Sequence, residues 1–466
     1  MNPWNFQLSI GDIFLDLGVI GSVLLLATLI RRYIPFIQRS LIPNNIVAGI
    51  IALTLGFLFS DFINQERMGL YVYHLLGLTF IAVAMSKPKA ASGLSPVHTG
   101  MLFIASYLVQ GIIGMVITFL LIFTVMPDLY PGFGLLLPLG FGMGPGIAYS
   151  VGSNWENYGF ISGGIAGLSV AAVGFGFAYI HGMYWMRKGI KAGFATLIPK
   201  DQPLSNELLT GLLPEKNRPI LGRHTTSSEA IESLSLHWSM VGMVYAFTWL
   251  LLSGVASILE NIGAGSELNT LWSFHFIFCS VMGIFVRSMI DRYDMGHHVD
   301  EGIMSSTGNL FVDVMITASL AGISLSVVGD YWMPLVLCGF FGGLATYFFI
   351  KNVSKTIYKT WNFERMLSSY AVMTGTIQSG LVLLRVLDPK YESPVSIDLV
   401  YASGFALVFG FPLLVLINAP MGFFDNSLIG YAYTLLGLIV YALLLSAGWY
   451  FLYQRDRKSN SIHQSK

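Results

Sequence analysis

Residues 139–160 read LGFGMGPGIAYSVGSNWENYGF and lie between two long apolar segments. The stretch carries six glycines and one proline, followed by hydroxyl residues and Glu156. Glycine and proline are the poorest helix formers, and a break at either residue frees backbone N–H and C=O groups from helical hydrogen bonding. The stretch therefore predicts an interruption of helical structure inside an otherwise apolar region.

The composition explains why such a break matters. The chain has 466 residues, of which 54% are hydrophobic and only 11% are charged, whereas about a quarter of the residues in a soluble domain are charged. Apolar runs of about 20 residues, the length of a membrane-spanning helix, recur from residue 11 to residue 453. Cys279 and Cys338 both fall within such runs, which argues against a disulfide framework. We predict an all-α polytopic protein in the lipid bilayer of an inner or plasma membrane, with no nucleic-acid partner.

The positive-inside rule orders the apolar segments. We predict spans near residues 11–30, 42–63, 70–86, 100–126, 160–186, 238–259, 271–290, 308–329, 331–350, 396–418 and 428–453. Segments 133–153 and 366–384 are also apolar, but they are rich in Gly, Pro, Ser and Thr. If neither of these crosses and the N-terminus is outside, every Lys and Arg except Arg67 falls on the cytoplasmic side. Both segments are therefore predicted to be re-entrant hairpins, the first entering from outside and the second from the cytoplasm, and the C-terminus is predicted to be cytoplasmic.

Two hairpins that enter from opposite sides indicate an inverted internal repeat. Gly146 then corresponds to Gly380, and Phe175-Gly176-Phe177 to Phe409-Gly410-Phe411. The predicted parts are a first repeat (1–186), a cytoplasmic linker (187–237), a second inverted repeat (238–418), and an extra C-terminal helix with a tail (419–466). Broken helices in opposed repeats are typical of secondary transporters, in which half-helix N-termini face anions and freed carbonyls hold cations.

Four segments carry a family resemblance: LIPNNIVAGIIAL (41–53), GMGPGIA (142–148), ENYGF (156–160) and TGNLFVDVMITASLAG (307–322). They resemble, in this order, the proline-led second span, the Gly-His-Gly-Thr-Gly segment of the first hairpin, the exit of that hairpin, and the Gly-Asn-led span of the bacterial sodium/glutamate symporter family. The resemblance covers most of residues 40–418. It implies two inverted five-helix repeats, each with a re-entrant hairpin, in a homodimer with a scaffold and a moving transport domain.

The chain departs from that family at both hairpins. Met143 and Pro145 stand where the family has His and Thr, and TGTIQSG (374–380) replaces a Gly-His-Cys-Gly pattern. The acidic residue expected late in the following span has no counterpart in residues 399–417. The chain therefore resembles a divergent member of the family.

Polar side chains of the two hairpins are the candidate substrate ligands. They are Ser150, Ser153 and Asn154 in the first hairpin, and Thr374, Thr376, Gln378, Ser379 and Arg385 in the second. Their oxygens can bind a substrate, or they can cap the broken backbone of the hairpins themselves. Arg385 suits a carboxylate, which a guanidinium holds by two hydrogen bonds, or it is an anchor paired with Glu392 or Asp398. The specific prediction is that the two hairpin tips meet, whereas Glu156 is expected to be a link residue in contact with water.

Asn309 and Asp313 are the candidate ion-coupling residues. They lie one helical turn apart on one face, and Asp313 is about five residues into the predicted span 308–329. A carboxylate within a span costs roughly 2.5–3.5 kcal/mol on insertion scales, which favours a role in binding an ion or a proton. An interfacial cap and a structural pair are the alternatives.

These observations predict an ion-coupled secondary active transporter, a symporter for a small organic anion such as glutamate or another carboxylate. It would work by alternating access with Na⁺ or H⁺ as the coupling ion and with no other cofactor or metal. The sequence has neither the phosphate loop G-x-x-x-x-G-K-[ST] nor the H-E-x-x-H zinc motif. ATP-driven transport is therefore not encoded in the chain, and an enzyme is not expected. A membrane channel, a non-transporting sensor and, less favoured, an intramembrane enzyme stay open as alternatives.

Overall fold

The computed structural model describes residues 10–59, 63–86, 93–200, 205–389 and 392–464, with the side chains of residues 217, 266, 407 and 455–464 excepted. The regular elements in these ranges are all helical. The α-helices are α1 (Ile10–Tyr33), α2 (Pro35–Ser40), α3 (Asn44–Leu58), α4 (Gln65–Met85), α5 (Ser95–Thr124), α6 (Pro145–Trp155), α7 (Gly163–Gly176), α8 (Gly182–Ala192), α9 (Asn206–Thr210), α10 (Ser233–Asn261), α11 (Leu268–Ser273), α12 (His275–Arg292), α13 (Glu301–Ala321), α14 (Leu325–Asp330), α15 (Trp332–Ile357), α16 (Asn362–Thr374), α17 (Ile377–Leu387), α18 (Val395–Phe409), α19 (Phe411–Phe423) and α20 (Leu428–Gln464).

Many of these helices suit a bilayer. Within the described ranges, nine are long and apolar enough to cross one: Ile10–Tyr33, Gln65–Met85, Ser95–Thr124, Gly163–Ala192, Ser233–Asn261, Glu301–Ala321, Trp332–Ile357, Val395–Phe423 and Leu428–Gln454. The prediction of an all-α, multi-pass membrane protein is confirmed at this level. Cys279 and Cys338 are free and buried, as expected. The sidedness and the inverted repeat stay predictions.

Several predicted spans have different limits in the structure. The span predicted at 42–63 is the 15-residue helix α3, and the one at 271–290 is divided at Phe274 into α11 and α12. The span predicted at 308–329 is α13, which begins at Glu301 because the Asp300 side chain accepts a hydrogen bond from the Ile303 N–H at 2.9 Å. Asp313 consequently lies near the middle of its helix, not near the start.

Hydrogen bonds tie the connecting segments together at two ends of the helix bundle. At one end, which we call the basic face, arginine side chains donate to main-chain oxygens of other segments: Arg31 to Ile42, Leu208 and Leu209, Arg187 to Arg39, and Arg287 to Met85. At the other end, the opposite face, Gln65 donates to the Ile323 carbonyl, Tyr331 to that of Ile161, and Asn426 to that of Tyr158. Arg67, the one basic residue predicted to be outside, lies in α4 beside Asp16 of α1.

The helices pack in two groups. The first group contains α1, α3, α4, α10, α12 and α13, and the second contains α5 to α8 and α15 to α20. The groups meet chiefly where α6 and α7 pack against α4, α11, α13 and α14. Along the chain, α1, α3, α4, α5, a broken segment and α7 are followed by α10, α12, α13, α15, a second broken segment and α18.

The first broken segment is the glycine-rich stretch. Short helical turns at Phe133–Leu135 and Pro138–Gly142 precede α6. The interruption lies at Gly144, whose φ of +92° is a conformation that glycine adopts without steric cost. Pro145 then begins α6, at a helix position that needs no N–H donor. Both ends of the segment reach the opposite face, because Tyr130 and Trp155 donate hydrogen bonds to asparagines of one connected stretch, Asn426 and Asn418.

The second broken segment consists of α16 and α17, separated by Gly375 and Thr376. It is longer than the predicted 366–384, since it extends over 362–387. Both of its ends reach the basic face. Near the start, the Arg365 guanidinium donates to Asp398 of α18 at 2.7 Å. At the far end, Asp388 accepts from the Ser393 N–H at 2.8 Å, directly before α18 begins.

Candidate functional site

The two helix interruptions lie side by side inside one molecule. A Cβ atom placed on Gly144 would be 3.6 Å from Thr376 Cγ2 and 4.0 Å from the Gly375 carbonyl oxygen. The first turns of α6 and α17 therefore begin next to each other, at Pro145 and Ile377. We call this place, formed by residues 142–146 and 374–378, the hairpin junction.

Gln110 of α5 braces the junction from behind, and sequence reasoning missed it. Its Nε2 atom donates to the Met373 carbonyl at 2.7 Å and to Thr346 Oγ1 at 3.1 Å. Its Oε1 atom is buried and has no hydrogen-bond partner among the described residues. The signal was present in the sequence, because Gln110 is an amide in a predominantly apolar 30-residue helix.

The predicted ligands of the second hairpin lie in and beside the junction. Thr374 and Ser379 are buried and bonded within the protein: Thr374 Oγ1 donates to the Tyr370 carbonyl at 2.9 Å, and Ser379 Oγ accepts from the Tyr179 hydroxyl at 2.8 Å. Thr376 and Gln378 are half-buried at the tip itself. The alternative role of capping is evident at Ser379, which also accepts from the Thr376 N–H at 3.3 Å, and the role in substrate binding stays a prediction.

In the described part of the chain, Arg385 forms no ion pair with either partner of its alternative role, Glu392 or Asp398. It is exposed in the last turn of α17. Asp398 is instead bound by the buried Arg365 at 2.7 Å, and Ser95 Oγ donates to the same carboxylate oxygen at 2.7 Å. The predicted pairing of Arg385 with Asp398 is therefore wrong, since Arg365 lies closer in the fold.

The predicted ligands of the first hairpin lie away from the junction. Ser150, Ser153 and Asn154 are six to ten residues beyond Gly144 in the chain, which is roughly 9–15 Å along a helix axis. Ser150 Oγ donates to the Ser273 carbonyl at 2.6 Å, and Asn154 Nδ2 to Thr270 Oγ1 at 3.4 Å. These side chains line a separate cleft near the opposite face, so the structure divides the predicted substrate ligands between two places.

That cleft has a volume of about 300 Å³ and lies between α4, α6, the start of α7, and α11. Its lining residues include Glu66, Tyr73, Tyr149, Glu156 and Trp272, and none of the described residues that line it is Lys, Arg or His. Glu156 is exposed, as expected of a link residue, and its Oε1 atom accepts from the Gly164 N–H at 3.0 Å. Desolvation raises the pKa of Glu156 above the usual carboxyl value, against the lowering effect of that hydrogen bond.

The candidate ion-coupling residues belong to the first helix group. Asp313 Oδ1 accepts from Asn45 Nδ2 of α3 at 2.8 Å, and Thr317 Oγ1 donates to the Asn45 carbonyl at 3.2 Å. Asn309 is exposed one turn earlier on α13. In the described part of the chain, no hydrogen bond or ion pair joins Asp313 to either hairpin.

No protein-family model, curated protein or solved structure matches this chain.

Proposed function

We propose that this protein is an ion-coupled secondary active transporter, a symporter that moves a small organic anion across an inner or plasma membrane by alternating access. The observation that carries the proposal is the hairpin junction, where two interrupted helices from the two halves of one chain meet at Gly144 and Thr376. Interrupted helices within a membrane domain are tolerated where protein buries them or where they line a cavity, and transporters use them to bind substrates.

The junction suits an anion. α6 and α17 both begin there, and the first N–H groups of a helix have no partner within the helix. The helix dipoles add partial positive charge at the same ends. A carboxylate is the organic group that such N-termini favour, which agrees with the glutamate-like substrate implied by the family resemblance.

Alternating access is supported by the paired packing of the two halves. In the proposed repeat, α3, α4, α5 and α7 correspond to α12, α13, α15 and α18. The contact of α4 with α12 is then the counterpart of that of α13 with α3, and the contact of α5 with α18 is the counterpart of that of α15 with α7. This reciprocity is what an inverted repeat with approximate two-fold symmetry requires. The two helix groups then correspond to the scaffold and the transport domain of the resembling family, which implies a homodimer.

Glycines lie along the contact between those groups. Gly69 of α4 accommodates the Tyr149 ring, Gly146 of α6 accommodates Leu76, and Gly322 accommodates Leu168, each too closely for a Cβ atom to fit without a shift of the neighbour. A contact built from small residues against large ones lets helices approach closely. Relative movement of the two groups would pass along this contact.

We assign ion coupling to Asp313, with Asn45 as its hydrogen-bond partner.

The test is uptake of glutamate, aspartate and other small carboxylates into proteoliposomes that contain the purified chain, with an imposed Na⁺ gradient, an imposed H⁺ gradient, or neither. We expect accumulation against the carboxylate gradient with one of the two ions. Asp313→Asn should abolish the coupling and leave carboxylate binding. Downhill flux without any ion dependence would favour a channel, and the absence of both uptake and binding would contradict the anion assignment.

The junction itself is tested by Gly144→Ala, with Gly448→Ala as the matched control. Alanine at Gly144 must adopt a φ of +92°, whereas a Cβ at Gly448 in α20 meets nothing within 4 Å. We expect Gly144→Ala to lower the uptake rate at least about tenfold, because a left-handed conformation disfavours a Cβ and the tip must shift. Equal uptake by both variants would contradict a substrate site at the junction.

A further inference from the structure

The cleft near the opposite face has a charge that does not match the anion proposed for the junction. Its charged lining groups are the carboxylates of Glu66 and Glu156. The uncharged polar side chains of Ser153, Asn154 and Asn157 also line it. Both carboxylates line the same cleft. An organic anion would meet repulsion here, so the cleft requires a different occupant.

One residue of the cleft lining carries a buried acceptor that has no partner among the described residues. Asn154 lines the cleft and is 4% exposed. Its Nδ2 atom donates to Thr270 Oγ1, but its Oδ1 atom has no hydrogen-bond partner among the described residues. A buried acceptor without a partner costs free energy, and the cost is removed when a donor binds. The occupant of the cleft should therefore carry N–H or O–H donors.

The nearby basic side chain is directed elsewhere. Arg67 follows Glu66 in the chain, but its guanidinium donates two hydrogen bonds to Asp16, at 2.8 and 3.0 Å, and lies 3.6 Å from Asp12. Asp16 is fully buried, so this pair is held within the contact between α1 and α4. Arg67 is not part of the cleft lining, and its guanidinium is bound to the carboxylates of α1.

The size and the walls of the cleft favour an organic cation over a bare metal ion. The volume of about 300 Å³ is several times the roughly 30 Å³ that one water molecule occupies in the liquid. Across the described residues, no three His, Cys, Asp or Glu side chains are arranged to hold a metal. Tyr73, Tyr149 and Trp272 line the cleft instead, and aromatic rings attract ammonium groups.

We propose that this cleft is a binding site for a small organic ammonium ion, with Glu66 and Glu156 as its counter-charges and Asn154 Oδ1 as an acceptor for its N–H group. The site is distinct from the hairpin junction, since α6 separates the two. According to the predicted topology it opens to the outside of the cell. It therefore adds a cation-binding activity to the transport of an anion.

Three probes of similar size and different charge test the proposal on the purified full-length chain in detergent: protonated ethanolamine, ethylene glycol and glycolate. Binding is measured at pH 7 and constant ionic strength by calorimetry and by the shift in the unfolding temperature. We expect ethanolammonium to bind most tightly, ethylene glycol more weakly, and glycolate not at this cleft. Gly144→Ala alters the hairpin junction, where an anion is expected to bind. If this variant still bound glycolate more tightly than ethanolammonium, the proposal would be overturned.

Two substitutions localise the binding. Glu156→Gln and Glu66→Gln should each weaken ethanolammonium about 10- to 100-fold, the loss expected for one charge-assisted hydrogen bond. Glu215→Gln makes the same change in the predicted linker and should leave the affinity unchanged. Equal affinity in all three variants would overturn the assignment, as would displacement of ethanolammonium by equimolar NaCl at constant ionic strength. Because ethanolammonium binding does not require uptake, failure here is distinguishable from failure of the transport proposal.

Discussion

The two hairpins have the same order of parts but different surroundings. In the first, α6 packs tightly on α7, against α4 and α13 of the first helix group, and against α11. In the second, α17 packs on α16, α18 and α8, with no comparable contact to the first group. The first hairpin is thus held between the two groups, whereas the second is held within one. This difference teaches that two broken segments with the same order of parts are packed unequally against the two helix groups.

The contrast has a local cause in the sequence. Gly152 of α6 and Gly163 of α7 allow their backbones to touch, since a Cβ on Gly152 would lie 2.3 Å from the Gly163 carbonyl oxygen. α17 and α18 lack this arrangement, and Gly404 of α18 faces open space. The second hairpin is instead fixed at its base by the ion pair between Arg365 and Asp398.

The largest effect is expected at that ion pair. Asp398→Ala leaves the buried Arg365 guanidinium without its carboxylate and should lower the free energy of unfolding by about 3–5 kcal/mol. Asp330→Ala, the same change at an exposed position, should alter it by less than about 0.5 kcal/mol. Denaturant titrations in mixed micelles measure both values.

A double substitution separates the charge from the packing. Arg365→Met combined with Asp398→Leu should recover most of the lost stability, because apolar residues of similar volume replace a buried pair at little cost. If Asp398→Ala were no more harmful than Asp330→Ala, the ion pair would not anchor the second hairpin, and the comparison between the hairpins would lose its basis.

The next effect tests the tight contact of the first hairpin. Gly152→Ala forces a methyl group against the Gly163 backbone and should cost about 1–3 kcal/mol. Gly404→Ala, in the open part of α18, should be neutral or stabilise by up to about 1 kcal/mol through helix propensity. Unfolding temperatures of the two variants give the comparison, and equal shifts would mean that the α6–α7 contact is no tighter than that of α17 with α18.

The sequence predicted the parts of the fold that depend on composition and local backbone chemistry. The apolar runs predicted an all-α membrane protein, and Gly144 with Pro145 predicted the interruption before α6. The start of α13 was missed because the cap at Asp300 precedes the apolar run that marked the span. Local pattern alone thus sets the core of a helix better than its ends.

The candidate site was predicted less completely, because it depends on contacts between distant segments. Hydroxyl residues of both hairpins were expected to converge, but the direction in which α6 presents Ser150 and Asn154 depends on the docking of α11. The pairing of Arg365 with Asp398 likewise joins two helices that sequence spacing does not relate. Gln110 acts through Met373, 263 residues away in the chain.

The smallest effect concerns two carboxyl groups at opposite ends of the molecule, Glu156 and Asp300. Desolvation raises the pKa of Glu156 in the folded state. For Asp300, desolvation is outweighed by hydrogen bonds from the Ile303 and Arg223 N–H groups, and the pKa is lowered. The stability that protonated Glu156 contributes is complete below its unfolded pKa of about 4.3 and is lost as the pH rises through the raised folded value.

The pH dependence of the stability that Asp300 contributes has the opposite sign. Its stabilising charge is present above its unfolded pKa of about 3.9 and is lost as the pH falls through the lowered folded value. Glu156 should therefore lower the unfolding temperature of wild-type protein as the pH rises above about 4.3, and Glu156→Gln should remove this decrease. Asp300 should lower the unfolding temperature as the pH falls below about 3.9, and Asp300→Asn should remove that decrease. Difference curves against wild type, recorded from about pH 3 to pH 8, isolate each group from the remaining carboxylates. Curves of the same sign for both variants would contradict the different environments of the two carboxyl groups, in which desolvation disfavours the charge of Glu156 while backbone donors stabilise the charge of Asp300.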